Sequence, residues 1–307
     1  MTCGIPFSKS LLHPKYWMTW LGLLFVVFIA QFPTSFRHGI GRKLGHYIYK
    51  NNTKRYRVVK TNLTIAFPDL TENAIEKMIK DHLQWYGCAM IDYSLILFSS
   101  KKRLSRLVTI DGQEHIKKAI KKDKSIIILL AHSVMLEFGP VALGLQYETF
   151  GSYKSSKNAV LDWLIAKGRC RYTKFVVSRE EGLRKLVKSL QPNRLMIFLP
   201  DEDLGKENSV FTPFFGTDKA TLTTTARIAK MGRAVALPAF AWYDQQSKKY
   251  RLQISPSLKN YPEGNATKDA TKLNLSLEEL IKAHPEQYMW LLKWYRTRPE
   301  KGATLYK

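Results

Sequence analysis

The chain has 307 residues, enough for one large domain or two small ones, and 45% of them are hydrophobic, enough for a substantial core. A formal charge of +24, from 49 Lys and Arg against 25 Asp and Glu, points to a polyanionic partner: nucleic acid, an anionic membrane face or an acidic protein. Cys3, Cys88 and Cys170 are odd in number and contain no C-x-x-C pair, so they support neither a zinc ribbon nor a disulfide framework, and suit a reducing compartment. The histidines lack metal-ligand spacing, and no metal is expected.

Tyr16 to Phe32 carries no charge. As a helix it rises about 25 Å, short of a hydrocarbon core of about 30 Å. It fits a tilted span, a re-entrant segment, an interfacial helix or a buried core helix. Tyr16, Trp17 and Trp20 at one end favour a membrane interface, and no small-residue cleavage pattern follows. Arg37, Arg42, Lys43, Lys50, Lys54, Arg55 and Arg57 come after this run, with Lys9 and Lys15 before it. The positive excess places the body of the protein on the cytoplasmic side and offers a grip on anionic headgroups. Residues 1–35 therefore read as a membrane-associated segment. Residues 36–307 read as a single α/β domain, because no repeat, low-complexity tract or linker divides them.

Thr71 to His82 and Gln84 to Phe98 read as helices, with Thr71 as a cap and Glu72 favouring the first turn. The stripe of Trp85, Tyr86, Met90, Tyr93, Leu95, Ile96 and Phe98 suits core packing, or the wall of an acyl-chain groove. From Val108 the chain alternates. Strands are expected at Ser125–Ala131, Lys174–Ser178, Arg194–Pro200 and Ala234–Phe240, and helices at Val134–Leu145, Asn158–Lys167, Glu180–Leu190 and Ala220–Met231. Alternation of this kind means a mainly parallel sheet flanked by helices. Lys249–Ser255 is expected to pair antiparallel at one side, and Leu275–Ala283 and Glu286–Tyr295 to close the fold as helices.

The richest stretch is Ala131-His132-Ser133-Val134-Met135-Leu136-Glu137, at the end of the apolar run Ile126–Leu130. The run is short, β-branched and unalternating, as in a strand buried on both faces. Ligand sites of α/β proteins gather at the carboxyl ends of such strands. Five residues along one helix turn through about 500°, so two helical side chains at that spacing point apart. With His132 on the strand-to-helix turn, however, Glu137 can fold back towards it. A carboxylate on one ring nitrogen fixes the tautomer and leaves the other as a general base. The plainer alternative is a surface pair or a satisfied core histidine. Ser133 reads as a helix N-cap rather than a nucleophile, since nothing like G-x-S-x-G surrounds it.

Arg169 and Arg171 follow a helix that Gly168 can end in a left-handed conformation. They read as solvated charges, or as a clamp for a phosphate or a developing oxyanion. Asp201, Glu202 and Asp203 follow another apolar strand. Such a cluster is weak evidence for Mg²⁺. Ser209–Gly216 is aromatic and turn-rich, a wall for an apolar ligand or simple packing.

Taken in order, His13-Pro14-Lys15-Tyr16-Trp17, the N-L-x-x-x-F-P of Asn62–Pro68, the H-x4-D/E of His132 and Glu137, the P-D-x-D…S-x-F of Pro200–Asp203 and Ser209–Phe211, and the P-E-Q-Y-x-W of Pro285–Trp290 resemble the late (secondary) acyltransferases of lipid A biosynthesis. These belong to the broader lysophospholipid acyltransferase-like superfamily, and the match runs nearly end to end. Asp218-Lys219-Ala220-Thr221-Leu222 looks most like the myristoyl- or lauroyl-transferring branch. The resemblance implies an inner-membrane enzyme facing the cytoplasm, with an acyl carrier protein thioester as donor. Its acceptor would be a Kdo-bearing lipid A precursor, acylated on the hydroxyl of a 3-hydroxyacyl chain. His132 would be the base, Glu137 its orienting partner, Arg169 the oxyanion or substrate contact, and Asp201 and Asp203 supports of the site; Arg171, on the same face as Arg169 if the chain is extended, is a candidate for the same contact. No cofactor is required. The alternative is a non-catalytic basic protein that binds lipid or nucleic acid. The chain lacks zinc spacing, an RNP-like signature and a basic helix, so no nucleic-acid partner is expected.

Overall fold

The computed structural model describes residues 6–153, 157–178, 183–300 and 303–306. Among them lie the strands β1 (Val108–Asp111), β2 (Ile126–Leu130), β3 (Glu148–Tyr153), β4 (Phe175–Ser178), β5 (Arg194–Phe198), β6 (Ser209–Phe214), β7 (Thr217–Leu222), β8 (Val235–Asp244) and β9 (Lys249–Ile254). The helices are α1 (Trp17–Ile29), α2 (Thr34–Asn51), α3 (Thr53–Ala66), α4 (Glu72–Phe98), α5 (Lys101–Leu107), α6 (Gln113–Lys121), α7 (Phe138–Gly144), α8 (Ala159–Arg169), α9 (Leu183–Ser189), α10 (Thr224–Met231) and α11 (Ala266–Ala283).

Seven strands form one sheet in the order β1-β9-β8-β2-β5-β3-β4, while β6 and β7 make a separate hairpin. Every pair in the large sheet is parallel except β8 with β9. The expected mainly parallel sheet flanked by helices is therefore present. β2 lies near its centre with all five residues buried. Strand side chains alternate between faces. Ile127 and Leu129 join the core formed with α3, α4 and α11, and Ile126, Ile128 and Leu130 join the core on the other face with α6 and α7. Burying each such side chain contributes about 1.5–3 kcal/mol, which explains why this strand lacks a polar face.

Helices α2 and α4 touch backbone to backbone. A methyl group on Gly45 would stand 2.2 Å from the Leu83 carbonyl oxygen, and one on Gly87 would stand 2.1 Å from that of Gly41. Beside this contact, buried Asp92 accepts from Arg37 Nε at 2.9 Å and from the Tyr250 hydroxyl at 2.7 Å, and lies 2.7 Å from His38 Nε2. Arg37 is thus sealed in an ion pair and takes no part in the surface cluster that sequence assigned to headgroups.

Several elements differ from expectation. α1 spans 13 residues, and no described helix is long and apolar enough to cross a membrane. Residues 72–98 form one helix behind the Thr71 cap, whose hydroxyl accepts from Ala74 N at 3.3 Å. β3 is a strand that the sequence pattern does not mark. Ala220–Leu222 belongs to β7 rather than to a helix, because Phe215 and Gly216, both at positive φ, close a two-residue hairpin turn. Of the expected helix at Glu180–Leu190, residues 183–189 are helical and the start lies outside the described residues. Glu286–Tyr295 is largely irregular. Tyr288, Trp290 and Trp294 are all fully buried at spacings no single helix face provides. Cys3 lies outside the described residues; Cys88 is free and buried, whereas Cys170 is disulfide-bonded, against the expectation of none.

Candidate active site

The strand β2 ends at Leu130, and His132 follows on irregular backbone. Its neighbours hold it from both sides. Val134 N donates to the Gln287 carbonyl at 2.9 Å, Met289 N donates to the His132 carbonyl at 3.1 Å, and Ser133 bridges Tyr288. Gln287 is anchored in turn: its amide donates to the Tyr243 carbonyl at 3.0 Å and accepts from Tyr243 N at 2.8 Å. The P-E-Q-Y-x-W stretch is therefore a clamp that sets where the imidazole stands. α7 begins only at Phe138, so Ser133 caps nothing, and its buried hydroxyl has no hydrogen-bond partner.

The carboxylate on His132 is Asp201, not Glu137. Asp201 Oδ1 lies 2.6 Å from His132 Nδ1, and Oδ2 accepts from His132 N at 2.8 Å and from the Tyr288 hydroxyl at 3.0 Å. The reason is strand register. β2 and β5 pair in parallel with Ile126 opposite Leu195 and Leu129 opposite Phe198. Carried past the strand ends, the same offset sets His132 beside Asp201. Burial acts to raise the Asp201 carboxyl, but the charge and hydrogen bonds of His132, with the charge of Lys219, hold it below the usual carboxylate range. An ionised carboxylate only accepts, so His132 Nδ1 carries the hydrogen and Nε2 is the basic nitrogen. The ring lies 5.8 Å from that of Trp294, and its side chain is 15% exposed.

Glu137 turns to Arg169 instead. Arg169 donates from Nε to Glu137 Oε2 at 3.2 Å and from a second nitrogen to Oε1, a two-pronged pair. The charge of Glu137 raises the guanidinium further above its ordinary value. Sequence separates them by 32 positions, but the C-terminal end of α8 faces the turn before α7. Gly168 does not end that helix; it is the site where α8 meets Leu97, 2.4 Å from where a Cβ would stand. Arg171 does not join Arg169. It donates to the carbonyls of Ile96, Leu97 and Ser99 at the end of α4, a helix-capping role.

Asp203 also has a supporting part, accepting from Thr297 N at 2.7 Å, Thr297 Oγ1 at 2.6 Å and Gly205 N at 3.1 Å. With the acceptors of Asp201 and Asp203 taken by protein donors, the acidic cluster is not a cation cage. Among the described residues no group of three or more His, Cys, Asp or Glu side chains is placed to hold a metal ion. Sequence reasoning missed Tyr288, Gln287 and Lys219 as parts of the site; their only signal was membership of ordered motifs. Lys219 is fully buried without a hydrogen-bond partner. Burial pushes its ammonium down to about 8, against the pull of Asp201 and Asp203.

This pairing of an acid-held histidine with an acid-held arginine at the carboxyl edge of a parallel sheet suits acyl transfer, and sequence comparison agrees. The chain belongs to the bacterial lipid A biosynthesis acyltransferase family, whose model matches residues 5–297. It is 32% identical to the lipid A biosynthesis lauroyltransferase of Escherichia coli (strain K12), over 96% of each chain. It is 34% identical to a lipid A biosynthesis acyltransferase of Haemophilus influenzae, over 98% of this chain and 94% of that one. It is also 28% identical to the E. coli lipid A biosynthesis myristoyltransferase, again over 98% and 94%. The protein is thus an acyltransferase of secondary lipid A acylation. A superposition on the 1-acyl-sn-glycerophosphate acyltransferase of Thermotoga maritima covers 83% of this chain at 12% identity, with a TM-score of 0.37, too loose to add to this.

Proposed function

We propose that this protein moves a fatty acyl group from an acyl carrier protein thioester to the hydroxyl of a 3-hydroxyacyl chain on a Kdo-bearing lipid A precursor, with His132 as general base. The observation that carries the reading is the Asp201–His132 hydrogen bond, which makes Nε2 the proton acceptor. An aliphatic hydroxyl is a poor nucleophile until a base takes its proton during attack. The hydroxyl oxygen bonds to the thioester carbon as its proton passes to Nε2. The tetrahedral oxyanion then collapses, expelling the carrier thiolate, which takes the proton back from the imidazolium. Arg169, oriented by Glu137, supplies the cation that meets the oxyanion. Glu137 thereby acts on the oxyanion side rather than on the base.

The same reading places the protein on the cytoplasmic face of the inner membrane. α1 exposes Trp17, Met18, Leu21, Leu24, Phe25 and Phe28, an apolar surface suited to lying in a bilayer interface. Arg42, Lys43, Lys50, Lys54 and Arg57 are exposed near it in sequence and suit anionic headgroups. The net charge of +24 favours approach of an acidic carrier protein. Purified protein given acyl carrier thioester and the precursor should release free carrier thiol and raise the lipid mass by one acyl unit. Full activity in His132→Ala would refute the base.

A further inference from the structure

Beside the clamp lies a second feature that the chemistry above does not use. A cavity of about 280 Å³ is lined by Thr53, Lys54, Arg57, Val58, Thr61, Lys293 and Tyr306. Three of these seven are cations and none is a carboxylate. Some surface cations elsewhere lean on acids, as Lys60 does on Glu72 and Lys174 on Glu148. Three positive charges with no carboxylate among the described lining residues repel one another, a cost offset when an anion enters. Thr53, Thr61 and Tyr306 add hydroxyl groups to the same lining, and Val58 is buried beneath.

The walls are held rigidly. Asn62, next to Thr61, donates to the carbonyls of Trp290 and Leu292, each at 2.7 Å, and accepts from the Tyr306 hydroxyl. Tyr295 N donates to the same hydroxyl at 3.0 Å, and Lys293 Nζ lies 5.2 Å from the Tyr306 ring centre. α3, Tyr306 and the segment after the clamp therefore meet at this cavity. Lys293 is next in the chain to Trp294, whose ring centre lies 5.8 Å from that of His132.

We propose that this cavity binds the phosphate of a lipid headgroup, and so anchors the acceptor while its chain-borne hydroxyl reaches His132. The inference rests on the proposed acceptor class. Concavity favours a compact headgroup anion over an acidic protein, which would need a broad convex or flat basic face. A phosphate could come from the acceptor or from a bilayer phospholipid, and the two sources are separable.

The test compares the full-length triple variant Lys54→Gln, Arg57→Gln, Lys293→Gln with a control of equal charge loss on exposed α6 positions, Lys117→Gln, Lys118→Gln, Lys121→Gln. Binding is read without acyl transfer, so the result stands whatever the catalytic assay gives. The probes are the precursor in neutral detergent, its phosphatase-treated form, phosphatidylglycerol and phosphatidylcholine vesicles, and acyl carrier protein. The expected result is an affinity loss of tenfold or more for the phosphorylated precursor, with the treated form and the control variant unaffected. The same selective loss on phosphatidylglycerol vesicles, with the precursor unchanged, would also support a phosphate site but name the bilayer as the source. Equal behaviour of triple variant and control on both phosphate-bearing lipids overturns the inference, as does a loss confined to acyl carrier protein.

Discussion

Asp201→Asn is the sharpest probe of the site, since it alters charge and hydrogen-bond direction at constant shape. Asp201 Oδ2 serves His132 N and the Tyr288 hydroxyl, while Oδ1 serves His132 Nδ1. The single oxygen of an amide satisfies the first two donors best, which turns its NH₂ towards Nδ1. Donor would then meet donor, so the ring hydrogen moves to Nε2 and the base is lost. General-base catalysis is worth about 10²–10⁴-fold, and kcat should fall by about that factor with little change in acceptor KM. ¹⁵N NMR of the imidazole should show the tautomer exchanged. Because the two residues act as one unit, adding Asp201→Asn to His132→Ala should cost little more. An Asp201→Asn enzyme within threefold of wild type, or one with the Nδ1–H tautomer intact, would refute the assignment.

Removing Arg169 should cost about 10²–10³ in kcat, the usual scale for an oxyanion donor. Glu137→Gln should cost less, and the double variant with Arg169→Gln no more than the arginine change alone; additive losses in the acyl-transfer assay would show that Glu137 acts on its own. Lys219 has a folded value of about 8, below its ordinary 10.5, so the unfolded chain holds the extra proton between those pH values. Stability should therefore rise by about 3 kcal/mol as pH climbs through that window, the charge-burial cost being present in full below pH 8. Lys219→Met should flatten this slope in urea unfolding, and an unchanged slope would count against a buried ammonium. Gly87→Ala gains about 1 kcal/mol of helix propensity but drives a methyl group to 2.1 Å from the Gly41 carbonyl oxygen. Overpacking costs about 1–3 kcal/mol or more, so the variant should unfold at lower urea, and a stabilised protein would mean the helices can part freely.

Local rules carried the reading of the sequence a long way. The unalternating run at 126–130 announces a strand buried on both faces. Thr71 announces a helix start, and the alternation after Val108 announces a parallel sheet with His132 at its carboxyl edge. These follow from periodicity and capping, which act over a few residues and are written in the chain. At 134–137, ahead of α7, and through most of 286–295, where the pattern suggests helix, buried aromatic packing and the Gln287 clamp hold irregular backbone instead.

The partner of the imidazole was decided elsewhere. Glu137 is five positions from His132 and Asp201 is 69 positions away, yet the distant residue holds the ring, because β5 lies beside β2 in a register that aligns their ends. Strand order and register depend on how both faces of the sheet are covered, which no local window contains. The same long-range packing turned Arg171 into a cap for α4, buried Arg37 against Asp92, and gathered Lys54, Arg57 and Lys293 around one cavity. Residue chemistry was legible in the chain, but which groups meet was settled only by the assembled sheet and the helices packed on it.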